Sequence, residues 1–594
     1  MKDTTLKLLM LFNKKEKKKL LVLFFLMIMA ALFETVGIGI IVPFVALVTT
    51  PSLIQEQEVL SYIYKLFNFQ STLAFTIFAV ILLILIFVIK NVYLLFFNYS
   101  QIRIVLNQQV KLSRRLFEEY LTKPYTFHLQ RNTADLLRNV NDEVPKVFQG
   151  IIISVFQLIT EILVTSSILI LLLVTAPEAT ITSAILLGVS LLLFFKFFRK
   201  KITDLGNELQ KVSGAMNKWV NQGLGASKEV KVSGKEGFFI NSYTHYSQIR
   251  ANNSLYIKML DQVPRLFIET LLVLIVLITM LIIVFQETST SQLVSTMALF
   301  TMAAFRLMPS ITRIIALITI IRYNHPALKV IYEDLFMNKE NYSSNKIDDS
   351  FLRIINKDER TFRDSIKLNE VSFRYPNQKD YSIKNISLTI PIGNSVALIG
   401  ESGAGKTTIV DIILGLFKPE KGKVLIDNKN LYEQKSLWQQ KIGYIPQSIF
   451  LSDDTIRRNV AFGLDSDQID DEAVWRALEQ AQLKEFVESL PNHLETEVGE
   501  RGVRLSGGQR QRIGIARALY HNPEILFMDE ATSALDNETE KEIMKAIDGL
   551  KGEKTLIIIA HRLSTIENCD IVFKINNGKL VSIDNRAAKK AIVH

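Results

Sequence analysis

The first part of the chain is written in long apolar runs and the rest in short ones. Runs long enough to cross a bilayer, which takes about 20 apolar residues, occupy roughly 20–48, 72–99, 147–175, 178–198, 262–286 and 292–320. They predict six membrane-spanning helices. The polar segments between them alternate in kind. Segments 101–146 and 199–261 are long and rich in cations, including Arg103, Lys111, Arg114, Arg115, Arg199, Lys200 and Lys201. Segments 49–71, 175–178 and 286–292 are short and carry few positive charges. Cytoplasmic loops collect Lys and Arg, so the long loops and both termini are assigned to the cytoplasm. Helical periodicity runs out of the spans into both long loops. This predicts helices that outrun the bilayer and turn through short transverse helices within 132–142 and 217–234. The first outer loop, 54–69, has the spacing of an amphipathic surface helix.

Past residue 336 the pattern changes. Segment 337–363 is polar with no apolar period and reads as a linker. Beyond it, short apolar runs bounded by polar and glycine-rich turns predict the buried strands of an α/β domain over 364–594. The pattern therefore gives an α-helical membrane domain with six spans (1–336), followed by an α/β domain.

Composition adds three constraints. A chain of 594 residues is too long for one core. The net charge of +10 would point a soluble protein toward nucleic acid, but here the cations flank apolar spans, which points to a membrane surface and to no nucleic-acid partner. The single cysteine, Cys569, excludes an internal disulfide and any paired-cysteine metal or redox site; it is expected to be a buried, inert thiol. The lysine-rich run at 14–19 precedes an apolar stretch as a signal peptide would, yet that stretch is too long for one and reads as a retained anchor.

The chemistry is concentrated in the second part. Gly400-Glu401-Ser402-Gly403-Ala404-Gly405-Lys406-Thr407-Thr408 fits the phosphate-loop pattern at each fixed position. The strand run Ser395–Ile399 precedes it and a helical run, 409–416, follows. Glycines let successive amides converge on phosphate oxygens. Lys406 adds a point charge, and Thr407 offers a hydroxyl to Mg²⁺. Upstream, Tyr375 has a ring able to stack on adenine or to join the core. Gln447 follows the strand 442–445, where a side-chain amide can reach Mg²⁺ and the attacking water. Ser506-Gly507-Gly508-Gln509 opens a helix and makes a second anion site. The strand 525–530 ends in Asp529, which can hold the Mg²⁺ shell, and Glu530, which can polarise the attacking water. Asp536 follows, and His561 ends the strand 555–560, where it can sense the γ-phosphate.

Ionisable residues inside the spans are few: Glu34, Lys90, Glu161, Arg265, Glu269, Arg306 and Arg313. Each is costly in hydrocarbon unless paired or wet. Arg265 and Glu269, four apart, are expected to pair on one helix face. Arg306 and Arg313 are two turns apart on one face of the sixth span, with no acid on that span to compensate them. They suit an anionic cargo in a central cavity, or pairing with Glu34 or Glu161 on neighbouring helices.

Taken in order, GESGAGKTT, the Gln447 loop, LSGGQ, the ILFMDE strand, SALD and His561 resemble the ATP-binding cassette family, over essentially the whole chain. The resemblance implies ATP and Mg²⁺ as cofactors. It also implies a half-transporter that dimerises head to tail, with ATP held between the phosphate loop of one copy and the LSGGQ of the other. An intact site favours a homodimer. Fusion of cassette to spans is similar to exporters, as is Glu497-Val498-Gly499-Glu500-Arg501-Gly502, a segment that in exporters touches the transverse helices. The membrane half is similar to the bacterial lipid-linked oligosaccharide flippases of protein N-glycosylation, through Glu34–Leu47, Val263–Glu269 and Phe305–Ile315. That resemblance implies Lys90, Arg306 and Arg313 as contacts of a lipid pyrophosphate, with Lys90 standing where the relatives carry arginine. It further implies membrane lipid and an anionic lipid-linked glycan as partners, and a multi-pass location in the bacterial cytoplasmic membrane. Export of a peptide, lipid or drug is the alternative.

Overall fold

In the computed structural model the described residues are 10–40, 57–175, 177–285, 290–337, 362–529, 549–560 and 566–585, with scattered positions between these stretches. The chain divides into two compact units. One comprises Met1–Lys123 and Arg131–Ser344; the other comprises Pro124–Gln130 and Asn345–His594.

The first unit is helical. Its helices are α1 (Lys14–Gly39), α2 (Glu58–Leu66) and α3 (Thr72–Thr122), and, after the loop that holds α4 (Tyr125–Gln130), α5 (Thr133–Arg138), α6 (Ile153–Thr175), α7 (Pro177–Gly225), α8 (Ser227–Ser233), α9 (Glu236–Phe285) and α10 (Thr290–Tyr332). Among the described residues six of these exceed 20 residues, and they fall where the six spans are expected. By length and mean hydropathy, four described stretches are able to cross a membrane: Lys14–Gly37, Thr72–Thr122, Thr133–Val174 and Leu307–Phe336. Helix α3 has 51 residues. At 1.5 Å per residue it runs about 77 Å, more than twice the roughly 30 Å hydrocarbon thickness, so it outruns the bilayer as the periodicity predicts.

Packing in this unit depends on small residues. A Cβ on Gly150 would lie 2.5 Å from Nδ2 of Asn324, and one on Gly206 would strike the Tyr323 carbonyl. Glycine at these positions lets helix backbones approach, as membrane helices require when apolar burial does not drive them together. Met27, Ala30 and Phe97 form a buried cluster with Phe156, Ile159 and Leu163 packed against it. The outer-loop helix α2 is shorter than the expected 54–69. It sits on an aromatic cluster in which Tyr64 lies 5.5 Å from Phe75 and 5.9 Å from Phe69.

The first long loop departs from expectation. Pro124 disfavours helical backbone in the residue before it, and Lys123 is extended there (φ −64°, ψ 146°). The segment that joins the second unit is consequently Pro124–Gln130, upstream of the expected 132–142. Within 132–142 lie α5, capped by Asn132 Oδ1 accepting from the Ala134 amide at 2.9 Å, and then the π-helical turn Asn139–Glu143. In the second loop α7 continues unbroken to Gly225, so only α8 is separate. A buried polar junction ties the first unit together near these turns. The Tyr120 hydroxyl donates to Asp334 Oδ2 at 2.5 Å, and Asn139 Nδ2 donates to the same oxygen at 2.9 Å.

The second unit carries two sheets. Strands β1 (Ser365–Phe373), β2 (Ile383–Pro391), β3 (Ser395–Ile399), β4 (Lys421–Ile426), β5 (Lys429–Asn430), β6 (Ile442–Ile445), β7 (Ile525–Asp529), β8 (Thr555–Ile559), β9 (Ile571–Asn576) and β10 (Lys579–Asn585) are ordered β2-β1-β4-β5 and β10-β9-β3-β8-β7-β6. The larger sheet is parallel from β9 to β6, with β10 antiparallel at its edge. Its central strands are buried on both faces, which is why they read as unbroken apolar runs. Leu526 and Met528 face one core, Ile525 and Phe527 the other. Each such side chain contributes about 1.5–3 kcal/mol on burial. Cys569 is a buried cysteine, outside any disulfide, in the first of these cores.

Candidate functional site

The site is built at the carboxyl ends of β3 and β7. After Ile399 the chain turns through three glycines in left-handed or related conformations, Gly400 (φ +153°), Gly403 (φ +80°) and Gly405 (φ +105°). A Cβ on Gly400 would run into the Ile575 carbonyl, and one on Gly405 would lie 2.8 Å from Ile383 Cδ1. Only glycine fits those two turns. Helix α11 (Lys406–Ile413) starts at the lysine itself, three residues before the periodicity places it. Trp438 Nε1 donates to the Ile413 carbonyl at 2.9 Å and satisfies its far end.

Lys406 is buried, and its Nζ donates to the carbonyls of Gly400 (2.9 Å) and Glu401 (3.0 Å). The ammonium thus closes the loop from inside. Ser402 and Thr407 are exposed on the loop, whereas Thr408 is buried. The Thr408 hydroxyl lies 2.9 Å from that of Tyr375. The Tyr375 ring is half-buried, edge-on to Phe373 (5.3 Å, 78°) and Phe417 (5.5 Å, 83°). Tyr125 stacks on that same Phe417 at 5.8 Å, which brings the segment Pro124–Gln130 into the aromatic cluster.

Asp529 is buried at the end of β7. Sequence reasoning missed its neighbour Asp411, a lone acid in the apolar face Ile409-Val410-Asp411-Ile412-Ile413 of α11; that isolation was the available signal. Burial, and then the charge of Asp529, push the Asp411 carboxyl up to about 6. Tyr444 on β6 is raised by burial and by both carboxylates. Gln447 is exposed, two residues past β6. At the second anion site, helix α12 (Gly507–Leu519) opens with a reciprocal cap: the Gln509 amide donates to Ser506 Oγ at 3.2 Å, and the Ser506 amide donates to Gln509 Oε1 at 2.8 Å. Gly507 and Gly508 leave that turn without side-chain bulk. Glu530, Asp536 and His561 lie outside the described residues.

A glycine cradle, a buried ammonium at its mouth, exposed hydroxyls and a buried carboxylate suit a triphosphate with a divalent cation. Lys406 and the loop amides have the chemistry to meet phosphates, and Thr407, Gln447 and Asp529 carry hard oxygen atoms of the kind Mg²⁺ prefers.

In the first unit, Lys90 Nζ lies 3.4 Å from Glu34 Oε2, with both side chains largely buried, and sits 4.8 Å from the Phe87 ring centre. Arg313 Nη1 lies 2.9 Å from Glu161 Oε1, but the Arg313 side chain is 53% exposed while that of Glu161 is 9% exposed. Pairing with neighbouring acids is thus the arrangement adopted by Lys90 and Arg313. The expected Arg265–Glu269 pair does not form among the described residues; both side chains are exposed, where an i,i+4 pair yields only a few tenths of a kcal/mol. The Arg306 side chain lies outside the described residues.

Helical spans fused to a phosphate-loop α/β unit with an LSGGQ helix define an ATP-hydrolysing transporter of the exporter type. The ABC transporter family matches residues 383–533, and the ABC transporter transmembrane region matches residues 20–308. The ATP-dependent lipid A-core flippase of Saccharophagus degradans is 31% identical over 507 residues, covering 84% of this chain and 82% of that protein. That of Cupriavidus pinatubonensis is 32% identical over 478 residues, covering 79% and 78%. The structure of a bacterial Atm1-family ABC exporter with ATP bound shares the fold at 22% identity, with a TM-score of 0.77 over 98% of this chain and 97% of that one. The chain belongs to the ATP-binding cassette transporters.

Proposed function

We propose that the chain is one half of a homodimeric flippase of the bacterial cytoplasmic membrane, and that its cargo is a polyprenyl-pyrophosphate-linked oligosaccharide. The observation that carries this reading is Arg313: a guanidinium inside a span, 53% exposed although an acid pairs with it. A cation is kept there at considerable cost, and phosphate is an anion whose geometry a planar guanidinium matches with two parallel hydrogen bonds. Arg306, two turns away on the same helix, extends the stripe. Lys90 joins it only by leaving Glu34.

In this reading the phosphate loop (Gly400, Ser402, Gly403, Gly405, Lys406, Thr407, Thr408) holds ATP, with Tyr375 beside the adenine. Ser506, Gly507, Gly508 and Gln509 of the second copy close over it, and Asp536 borders the interface. Mg²⁺, held by Thr407, Gln447 and Asp529, supplies neutralisation of phosphate charge. Glu530 orients and polarises the attacking water, and His561 contacts the γ-phosphate side. Closure of the two cassettes is transmitted to the spans, and the cavity changes its opening.

A second reading has the same chemistry in a different lipid. The relatives named ATP-dependent lipid A-core flippases support lipid A core as that lipid. The test is purified protein in vesicles, with ATPase activity and lipid crossing measured separately for a polyprenyl-pyrophosphate glycan, a phosphorylated lipid A core, and a peptide. Glu530→Gln is expected to abolish hydrolysis, and Arg306→Ala with Arg313→Ala to hydrolyse ATP without moving lipid. Stimulation and crossing by the polyprenyl glycan alone support the first cargo; by the lipid A core alone, the second. If only the peptide responds, both flippase readings fall.

A further inference from the structure

Among the buried side-chain atoms without a hydrogen-bond partner, three belong to one helix junction. They are Oε2 of Glu161 and Oγ1 of Thr165 on α6, and Oγ of Ser310 on α10, two helices that pack against each other. Thr165 is one turn from Glu161 on the same face, and Ser310 is one turn from Arg313. Glu161 reaches Arg313 through its other oxygen, at 2.9 Å. Arg313 Nε donates to the Pro309 carbonyl at 3.4 Å, and Nη2 has no partner among the described residues.

The idle hydroxyls are unusual for these helices. Thr160, Thr312 and Thr319 each donate to the carbonyl four residues back, at 3.0, 2.9 and 2.8 Å. That is the default for a hydroxyl with no water to bond. Thr165 and Ser310 do not take it. Two buried donors and a buried acceptor left unmatched on two packed helices cost stability in a bilayer, and a second arrangement of the same atoms would match them.

We propose that Glu161 is a two-position counter-ion for Arg313. In the unloaded cavity its carboxylate neutralises the guanidinium. When a phosphate-bearing headgroup takes the exposed side of Arg313, the carboxylate turns to the Thr165 and Ser310 hydroxyls, which donate to it. Glutamate needs only side-chain rotation for this exchange, and no bond is made or broken. The cation is then bared only while an anion is present, and the returning carboxylate expels that anion. The inference rests on the reading of the cargo as phosphate-bearing.

The test uses the full chain in neutral-lipid nanodiscs and vesicles, with polyprenyl pyrophosphate as the probe and the uncharged polyprenol as control. Glu161→Gln is expected to lower the half-saturating pyrophosphate concentration about tenfold and to slow crossing, because release loses its competitor. Thr165→Val with Ser310→Ala is expected to raise that concentration several-fold in the wild-type background and to have no further effect on top of Glu161→Gln. A merely structural role would give the hydroxyl variants the same effect in both backgrounds. Equal effects in both backgrounds, or an unchanged half-saturation in Glu161→Gln, overturn the proposal. Should Glu161→Gln fail to fold, the hydroxyl pair in the wild-type background decides, and an unchanged half-saturation there overturns it too. If the wild type does not distinguish pyrophosphate from polyprenol, the phosphate-cargo reading falls and takes the counter-ion with it; a wild-type response without these shifts removes the counter-ion alone.

Discussion

The hydroxyls of Tyr375 and Thr408 lie 2.9 Å apart, so the aromatic ring upstream of the phosphate loop is tied to the helix that the loop begins. Tyr375→Phe keeps the ring among Phe373 and Phe417 and loses only this bond, at a cost of about 1 kcal/mol. The half-saturating ATP concentration is expected to rise only a few-fold. Tyr375→Ala also empties the cluster, at about 3–5 kcal/mol, and is expected to weaken ATP binding and lower the unfolding temperature together. Titration with a fluorescent ATP analogue beside thermal unfolding separates the two.

The loop glycines are not equivalent. Gly400→Ala drives a methyl into the Ile575 carbonyl at φ +153°, and the expected loss is about 2–4 kcal/mol, with nucleotide binding abolished. Gly403 has φ +80° and open space around its Cα. Gly403→Ala therefore costs only the conformational penalty, about 1–2 kcal/mol. Nucleotide affinity and melting temperature should rank the two in that order.

Asp411 makes a pH-dependent contribution. Its carboxyl is raised from 3.8 to about 6 in the folded chain, so between those values the folded state keeps a proton that the unfolded state has lost. Stability from this group falls as pH rises from about 4 to 6, by an amount on the order of 3 kcal/mol, and is level above that range. Asp411→Asn removes the dependence. Its unfolding temperature relative to wild type is expected to climb across that window and then stay constant. A flat difference from pH 4 to 8 would contradict this assignment.

Asp334 is held by Tyr120 at 2.5 Å and by Asn139 at 2.9 Å, joining the end of α3, the turn after α5 and the exit from α10. Tyr120→Phe is expected to cost about 1.5–3 kcal/mol, the range for a hydrogen bond to a charged group. Lipid moved per ATP hydrolysed should fall more than ATPase activity does, which paired transport and phosphate-release assays will read.

Local signals were legible wherever chemistry or solvent imposed a pattern. The long helices, the strands β3, β6 and β7, and the glycine-rich turn before α11 all lie where hydropathy and glycine spacing put them. Thr407 and Thr408 mark the limit: adjacent and chemically identical, one is exposed and the other is buried against Tyr375. Tyr375 itself allowed two readings, adenine platform or core aromatic, and its half-buried place beside Phe373 and Phe417 depends on residues up to 42 positions away. Asp411 gave only the signal of an acid among apolar neighbours, because its shift comes first from burial in the folded domain and then from Asp529, on a strand more than a hundred residues later.

Hydrophobic length and turn chemistry are local properties, so the transporter family, the long apolar stretches and the glycine-rich turn before α11 could all be read from the residues alone. Which charges are spent on one another is a matter of the folded arrangement. That Lys90 meets Glu34 across 56 positions and Arg313 meets Glu161 across two packed helices follows from helix packing. Coulomb attraction acts through space, and no spacing along one chain reports it.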